Sequence, residues 1–332
     1  MERITIIGMG IIGASLGLAL KEARLSDTEI VGHPSNRDVA SAIKELNAFD
    51  KLESQLEKAV LGAQLVIIDA NIGDTKYFLE SLGNHLRDGS VITDTGTAKK
   101  RTSAWAEEFL PAGISYIASR PILSKSSDDI KSARSDLFAG KQFCIIPAAS
   151  VSEQAVKTIV GLAETLDAKP YFLDQDEHDS YTAAMDYLPA VLSNAFVNAT
   201  TGSTSWKEMY KTAGKLFDAQ SKLSSKDPVD TEIEYLAISD PLVYWIDQVI
   251  ESLKSLKTDL SDGNDHLVES LITAWEEQAR WQSGAVERDQ QGVTLPGAGE
   301  SMASALLGDR LAQRMTQLGS PKKKDQWRYP RS

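Results

Sequence analysis

One cysteine and four histidines in 332 residues leave little material for thiol or metal chemistry. Cys144 alone cannot close an internal disulfide, and its setting in Phe143-Cys144-Ile145-Ile146 is that of a buried strand residue. Such sparing use of cysteine fits a reducing, cytoplasmic compartment. No His/Cys/Asp/Glu group has the spacing of a ligand set, so no metal is expected. Apolar runs long enough to span a bilayer are missing, and no membrane contact is expected. Basic residues are too few for nucleic acid: 35 Lys and Arg face 47 Asp and Glu, a formal net charge of −12. The one basic run, Lys322-Lys323-Lys324, follows Gly319-Ser320-Pro321 and reads as a solvated tail. No G-x-S-x-G elbow is present, which argues against α/β-hydrolase chemistry. Internal repeats and low-complexity tracts are also absent.

What the chain does have is concentrated at its start. Arg3-Ile4-Thr5-Ile6-Ile7 is a short β-branched run suited to a buried parallel strand. Gly8, Gly10 and Gly13 follow as G-x-G-x-x-G, and a helical pattern continues through Leu16, Leu18, Ala19 and Leu20. Strand, glycines and helix start form the dinucleotide-binding fingerprint. Gly8 permits the tight turn, Gly10 lets the backbone approach a pyrophosphate, and Gly13 lets helix and strand pack closely. The N–H groups at Ile11 and Ile12 then face the phosphates. With the fingerprint starting at residue 8, no signal peptide is expected.

Glu29–His33 reads as the second strand. An NAD-binding unit places a carboxylate after it for the ribose 2′-hydroxyl. Here Pro34, Ser35, Asn36 and Arg37 intervene before Asp38. A hydroxyl, an amide and a guanidinium suit a 2′-phosphate better, so NADP is favoured, with NAD as the alternative. His33 is placed beside the adenine. Further strands are read at Leu65–Ile68, Ser90–Asp94, Ile114–Ala118, Gln142–Ile146 and Pro170–Leu173. Helical patterns at Thr75–Leu86, Lys100–Phe109 and Ser152–Leu166 lie between them. Asp69, Ala70 and Thr95, just past two strand ends, complete the cofactor set. The alternation predicts an α/β fold, a Rossmann-type doubly wound parallel sheet.

The pattern changes after Asp174. Residues 177–282 show only helical periodicity, at Ala183–Ala199, Glu232–Leu260 and Asp265–Gln282. The predicted domains are therefore 1–174, binding dinucleotide, and 175–332, an all-helical dimerisation and substrate domain with a polar tail. The helices carry too many apolar faces for one small bundle, so a homodimer is expected.

Several local strings resemble the prephenate/arogenate dehydrogenase family. Gly13-Ala14-Ser15-Leu16-Gly17 is similar to the family's G-G-S-L-A, and Asp94-Thr95-Gly96-Thr97-Ala98-Lys99 to its D-x-G/A-S-x-K. Ser135–Gly140 is similar to A-x-L-F-x-G. Glu177-His178-Asp179 and Tyr187-Leu188-Pro189 resemble the opening of the family's helical domain. The resemblance runs from about residue 1 to residue 260. It implies a Rossmann domain joined to a helical dimerisation domain, and NAD(P)-dependent oxidation of prephenate or arogenate with loss of carbon dioxide.

The departures fall in the chemistry that the resemblance implies. The family's histidine in G-H-P-M-A-G, implied to assist deprotonation of the substrate's ring hydroxyl, is Arg120 in Ser119-Arg120-Pro121-Ile122-Leu123. A guanidinium cannot act as a base near neutral pH. The family's S-H-L-P-H becomes Asp186-Tyr187-Leu188-Pro189-Ala190, without either histidine. Thr97 keeps a hydroxyl for substrate or nicotinamide. Arg120, and Lys222 in place of a family arginine, are expected to hold an anionic group of a small substrate. Asp186 and Tyr187 are the available proton carriers. Three readings remain open: a prephenate-type dehydrogenase, a reductase of another C=O or C=N bond, and a non-catalytic NADP-binding protein.

Overall fold

The computed structural model describes residues 2–123, 129–263 and 266–286. Eight strands form one sheet: β1 (Glu2–Ile7), β2 (Thr28–His33), β3 (Lys51–Leu52), β4 (Leu65–Ile68), β5 (Val91–Asp94), β6 (Ser115–Pro121), β7 (Gln142–Pro147) and β8 (Lys169–Phe172). Their order is β3-β2-β1-β4-β5-β6-β7-β8. All neighbours pair parallel except β6 and β7, where Ala118 faces Ile146 across an antiparallel ladder. Parallel return needs a crossover element. The described part of the β6–β7 connection holds only 3-10 turns, at Ile130–Ser132 and Ser135–Phe138.

Helices α1 (Ile11–Glu22), α2 (Arg37–Leu46), α3 (Leu56–Val60), α4 (Ile72–Leu82), α5 (Lys99–Phe109) and α6 (Glu153–Thr165) connect the strands. Successive strand residues point to opposite faces. Ile6 joins Leu16, Leu20, Ile43, Ile159 and Phe138 on one side of the sheet. Ile7 joins Val60, Leu79, Leu82 and Ala106 on the other. Each fully buried aliphatic side chain contributes about 1.5–3 kcal/mol, so both faces must be covered for the sheet to form. Cys144 lies buried in β7.

Beyond Phe172 the chain is helical: α7 (Gln175–Thr182), a π-helical segment Ala183–Tyr187, α8 (Leu188–Thr201), α9 (Trp206–Met209), α10 (Lys215–Ser221), α11 (Pro228–Ala237), α12 (Ser239–Asp262) and α13 (His266–Gln282). Two of the expected long helices are interrupted, both by proline. Pro189 has no N–H to offer Met185, and the turn before it widens so that the Leu188 N–H bonds to the Ala183 carbonyl. Pro241 likewise prevents continuity with Ala237, and the chain breaks at Ile238. The helix α2, not anticipated, is amphipathic through Val39, Ile43 and Leu46 and starts at an Asn36 cap.

Two compact units divide the chain, Met1–Glu251 and Ser252–Ser332. The first contains the whole sheet and the helices through the first half of α12. Within it, Ile72, Ala98, Ala183, Tyr187, Ile238 and Leu242 form a small separate core. That core seats the segment 183–187 and α11 against the ends of β4 and β5. The second unit holds the rest of α12 and α13. The basic run 322–324 lies outside the described residues. No helix among the described residues is long and apolar enough to cross a membrane.

Candidate active site

The sheet order reverses between β1 and β4, and in open α/β sheets ligands bind outside the carboxyl ends of the strands at such a point. A cavity of about 380 Å³ opens there. Gly8, Gly10, Ile11, Ile12, Ser35, Asp69 and Ala70, all assigned to the cofactor from sequence, line it together with Asn71, Asp74 and Phe78. Gly8 has φ +76° and packs so closely on β4 that an added Cβ would lie 2.1 Å from the Asp69 carbonyl oxygen. Only glycine tolerates both conditions. A Cβ on Gly13 would lie 2.8 Å from the Gly8 carbonyl. Gly10 before α1 has no side chain to cap it; the Gly13 N–H donates to Asp69 Oδ2 at 2.7 Å, and the helix start leaves those of Ile11 and Ile12 for an anion. Backbone too tight for side chains, a helix start with the Ile11 and Ile12 N–H groups left for an anion, and an adjoining cavity fit a dinucleotide.

The other cofactor candidates surround this turn. His33 ends β2, with Nδ1 2.9 Å from the Glu53 carbonyl oxygen and its ring edge-on to Phe78 at 6.2 Å. Asn36 is the N-cap of α2, its Oδ1 accepting the Val39 N–H at 2.9 Å. Sequence reading took it as a phosphate ligand only, yet its spacing before Val39 and Ile43 is a capping signal. Ser35 and Arg37 are exposed beside it. The Thr95 hydroxyl donates to Asp69 Oδ1 at 2.6 Å.

The substrate candidates gather at the ends of β5 and β6. Asp94 and Lys99 form an ion pair of 2.7 Å in which both side chains are fully buried. Tyr116 donates to the other Asp94 oxygen at 2.5 Å, and the Gly96 N–H to Oδ2 at 3.0 Å. Burial lowers the Lys99 pKa while Asp94 opposes that shift. The Tyr116 phenol is pushed well up by burial and by the Asp94 charge. From α7, Asp179 caps α5 by accepting the Lys99 N–H at 2.8 Å and the Lys100 N–H at 3.0 Å. These contacts hold the turn 94–99 and present Thr97.

Thr97 Oγ1 and the Tyr187 hydroxyl lie 2.5 Å apart. Burial, followed by the nearby Glu234 carboxylate, raises the Tyr187 pKa far above the usual phenol range. Tyr187 therefore keeps its proton at neutral pH, and either hydroxyl of the pair can be the donor to the other. Its ring meets Tyr235 edge-on at 5.9 Å. Arg120 donates to Thr182 Oγ1 at 2.9 Å and to Asp186 Oδ2 at 2.6 Å. Thr97, Arg120, Asp186 and Tyr187 are thus brought together as two linked pairs. Lys222 is not brought to them: it is exposed, begins the turn Lys222–Ser225, and its ammonium makes no hydrogen bond or ion pair among the described residues.

Glu234 and Thr182 were not legible in the sequence, and His178 and Asp179 only as part of a string that resembles a family motif. Glu234 on α11 is half-buried, its pKa raised first by burial. Thr182 and Asp179 act across more than sixty residues of chain. His178 is buried, with Nδ1 3.0 Å from Asp179 Oδ1, and burial lowers its pKa. Its Nε2 has no hydrogen-bond partner among the described residues.

The family model for the prephenate dehydrogenase nucleotide-binding domain matches residues 16–172. Prephenate dehydrogenase of Bacillus subtilis is 24% identical over 260 residues, which cover 77% of this chain and 70% of the relative. Cyclohexadienyl dehydrogenase of Zymomonas mobilis is 24% identical over 272 residues, 81% of this chain and 92% of the relative. In fold, the chain is similar to the A. aeolicus prephenate dehydrogenase crystallised with hydroxyphenyl propionate and NAD+. That match has a TM-score of 0.76 at 18% identity and covers 84% of this chain and 98% of the other. A nucleotide turn at the switch point, a helical segment closing over β5 and β6, and this set of relatives agree: residues 16–172 match a prephenate dehydrogenase-type nucleotide-binding domain, and the chain is similar over most of its length to prephenate and cyclohexadienyl dehydrogenases.

Proposed function

We propose that the chain transfers hydride between a nicotinamide dinucleotide, NADP(H) by preference, and a small anionic substrate held beyond the ends of β5 and β6. The observation that carries this reading is the convergence of Thr97–Tyr187 and Arg120–Asp186 on the side of the sheet where the glycine turn opens. A bound nicotinamide would supply the hydride acceptor or donor. The Ile11 and Ile12 N–H groups would hold the pyrophosphate, and Ser35 and Arg37 a 2′-phosphate. In the Thr97–Tyr187 pair one hydroxyl hydrogen is used between the two oxygens, which leaves the other to bond a substrate oxygen. Arg120 offers donors beyond the two it has committed, directed at a carboxylate, while Asp186 fixes its orientation.

Prephenate and arogenate are the first compounds to assay, because relatives carry those names. Arg120 in place of a histidine predicts slow turnover of both. A second reading, reduction of another C=O or C=N bond, is favoured by one observation: no histidine partners Thr97, Arg120, Asp186 or Tyr187 among the described residues. The family's aromatising oxidation therefore lacks its neutral-pH base here. Many exposed apolar side chains on the helices, among them Leu216 and Leu236 in the first unit and Leu271 and Trp281 in the second, support a homodimer, whose mass light scattering would report. Calorimetric titration with NADPH and NADH tests the cofactor reading. Tighter NADPH binding that is lost in Arg37→Ala supports it, and equal affinity for the two refutes the preference.

A further inference from the structure

We infer that Asp69 is an internal competitor for the dinucleotide's own anion site and sets how tightly the cofactor binds. The inference rests on the nicotinamide-dinucleotide reading above. In α1 the first N–H to close a helical bond is that of Ala14, to the Gly10 carbonyl at 3.1 Å. The N–H groups of Ile11, Ile12 and Gly13 are the ones the helix start leaves for an anion. Gly13 is already engaged: its N–H donates to Asp69 Oδ2 at 2.7 Å. The second oxygen of the same carboxylate accepts the Thr95 hydroxyl at 2.6 Å.

Both oxygens are therefore held, one on the cofactor turn and one on the turn that leads to Thr97. An ideal Cβ at Gly10 would lie 3.6 Å from Asp69 Oδ2, which puts the carboxylate alongside the glycine turn and not behind it. Asp69 also lines the cavity, with Asp74 as a second acid, and no Lys or Arg is among the described lining residues. A pyrophosphate entering here brings like charge to a helix start whose positive end is partly satisfied. The carboxylate does two things at once: it ties the glycine turn to β4 and β5, and it opposes the ligand the turn is built for.

The two effects separate by substitution. Asn at position 69 can accept from Gly13 through its oxygen and donate to Thr95 through its amide, so Asp69→Asn keeps the tie and removes the charge. For charges about 6 Å apart at effective dielectrics of about 20–80, binding should tighten on the order of 3- to 100-fold. The test is calorimetric titration of wild type, Asp69→Asn, Asp69→Ser and Asp74→Asn with NADPH, NADH, ADP-ribose and adenosine. The inference predicts tighter NADPH, NADH and ADP-ribose binding in Asp69→Asn, unchanged adenosine binding, and a smaller gain in Asp74→Asn. Asp69→Ser, also neutral, gives the same sign should Asp69→Asn fold poorly. Dinucleotide binding that is equal or weaker in both neutral Asp69 variants overturns the inference alone. An equal gain from Asp74→Asn also overturns it, because the effect would then be one of net charge. Failure of every protein to bind any dinucleotide overturns the cofactor reading along with it.

Discussion

Replacing Lys99 by Met should be among the most destabilising single changes in the chain. Lys99 and Asp94 are both fully buried and 2.7 Å apart. At an effective dielectric of about 20 their attraction is roughly 6 kcal/mol, most of it offset by desolvation of two ions, so the intact pair is close to neutral for stability. Lys99→Met removes the attraction and leaves the Asp94 carboxylate's desolvation cost in place, a loss of about 3–5 kcal/mol. Tyr116 and the Gly96 N–H still donate to Asp94, which favours the lower end of that range. At about 2–4 °C per kcal/mol for a body of this size, Tm should fall by roughly 6–20 °C. Adding Asp94→Asn removes the stranded charge and should recover most of the loss. Urea melts of the wild type, both single variants and the double variant give the coupling energy directly. A loss under about 1 kcal/mol for Lys99→Met, or additive losses in the double variant, would refute the argument.

Gly8→Ala places a Cβ 2.1 Å from the Asp69 carbonyl at a φ of +76°. It should cost more than about 2 kcal/mol and abolish dinucleotide binding; wild-type stability in a urea melt would show that the turn relaxes freely. His178 gives the pH dependence. Burial depresses its pKa below the ordinary 6.5, so as pH falls through 6.5 the unfolded chain takes up a proton that the folded chain does not. Stability should then fall on acidification by up to about 1.4 kcal/mol per pH unit from this group. His178→Gln should flatten that slope between pH 7.5 and 5, and an unchanged slope would assign it to other groups. Thr97→Val should raise KM or lower kcat about tenfold or more while shifting Tm little, since the hydroxyl's partner is Tyr187 at the site; unaltered kinetics would remove Thr97 from the reaction.

The cofactor half was legible because its signals are local. The turn, its glycines and the following helix lie within the fifteen residues from Gly8 to Glu22, and β4 is a continuous apolar run that only a sheet covered on both faces can bury. Asn36 illustrates a residue whose type was noticed and whose local duty was not: one side chain can cap a helix or reach a phosphate, and sequence alone does not rank the two. The substrate half was legible as a set of candidates but not as an arrangement. Arg120 and Asp186 were named separately, and their ion pair spans 66 residues. Asp179 reaching back to cap α5, and Thr182 under Arg120, depend on how the helices seat on the small core around Ile72 and Ile238, which no periodicity encodes. Lys222, expected from the resemblance to stand in place of a family arginine, lies exposed. The breaks at Pro189 and Pro241 could have been read from proline alone, since each removes a helical N–H donor.

We propose that the chain keeps a dinucleotide-binding half similar to that of prephenate dehydrogenases and carries a substrate half built around Arg120 and Asp186. Steady-state turnover of prephenate and arogenate, with NADP and NAD and with Arg120→Ala beside the wild type, tests it most directly. General-base assistance of the kind a histidine gives contributes about 10²–10⁴-fold. The account predicts wild-type turnover of both compounds slower by about that factor than dehydrogenases retaining the histidine, despite measurable cofactor binding. Robust turnover by the wild type at rates ordinary for the family would contradict it, showing that the position held by Arg120 needs no base.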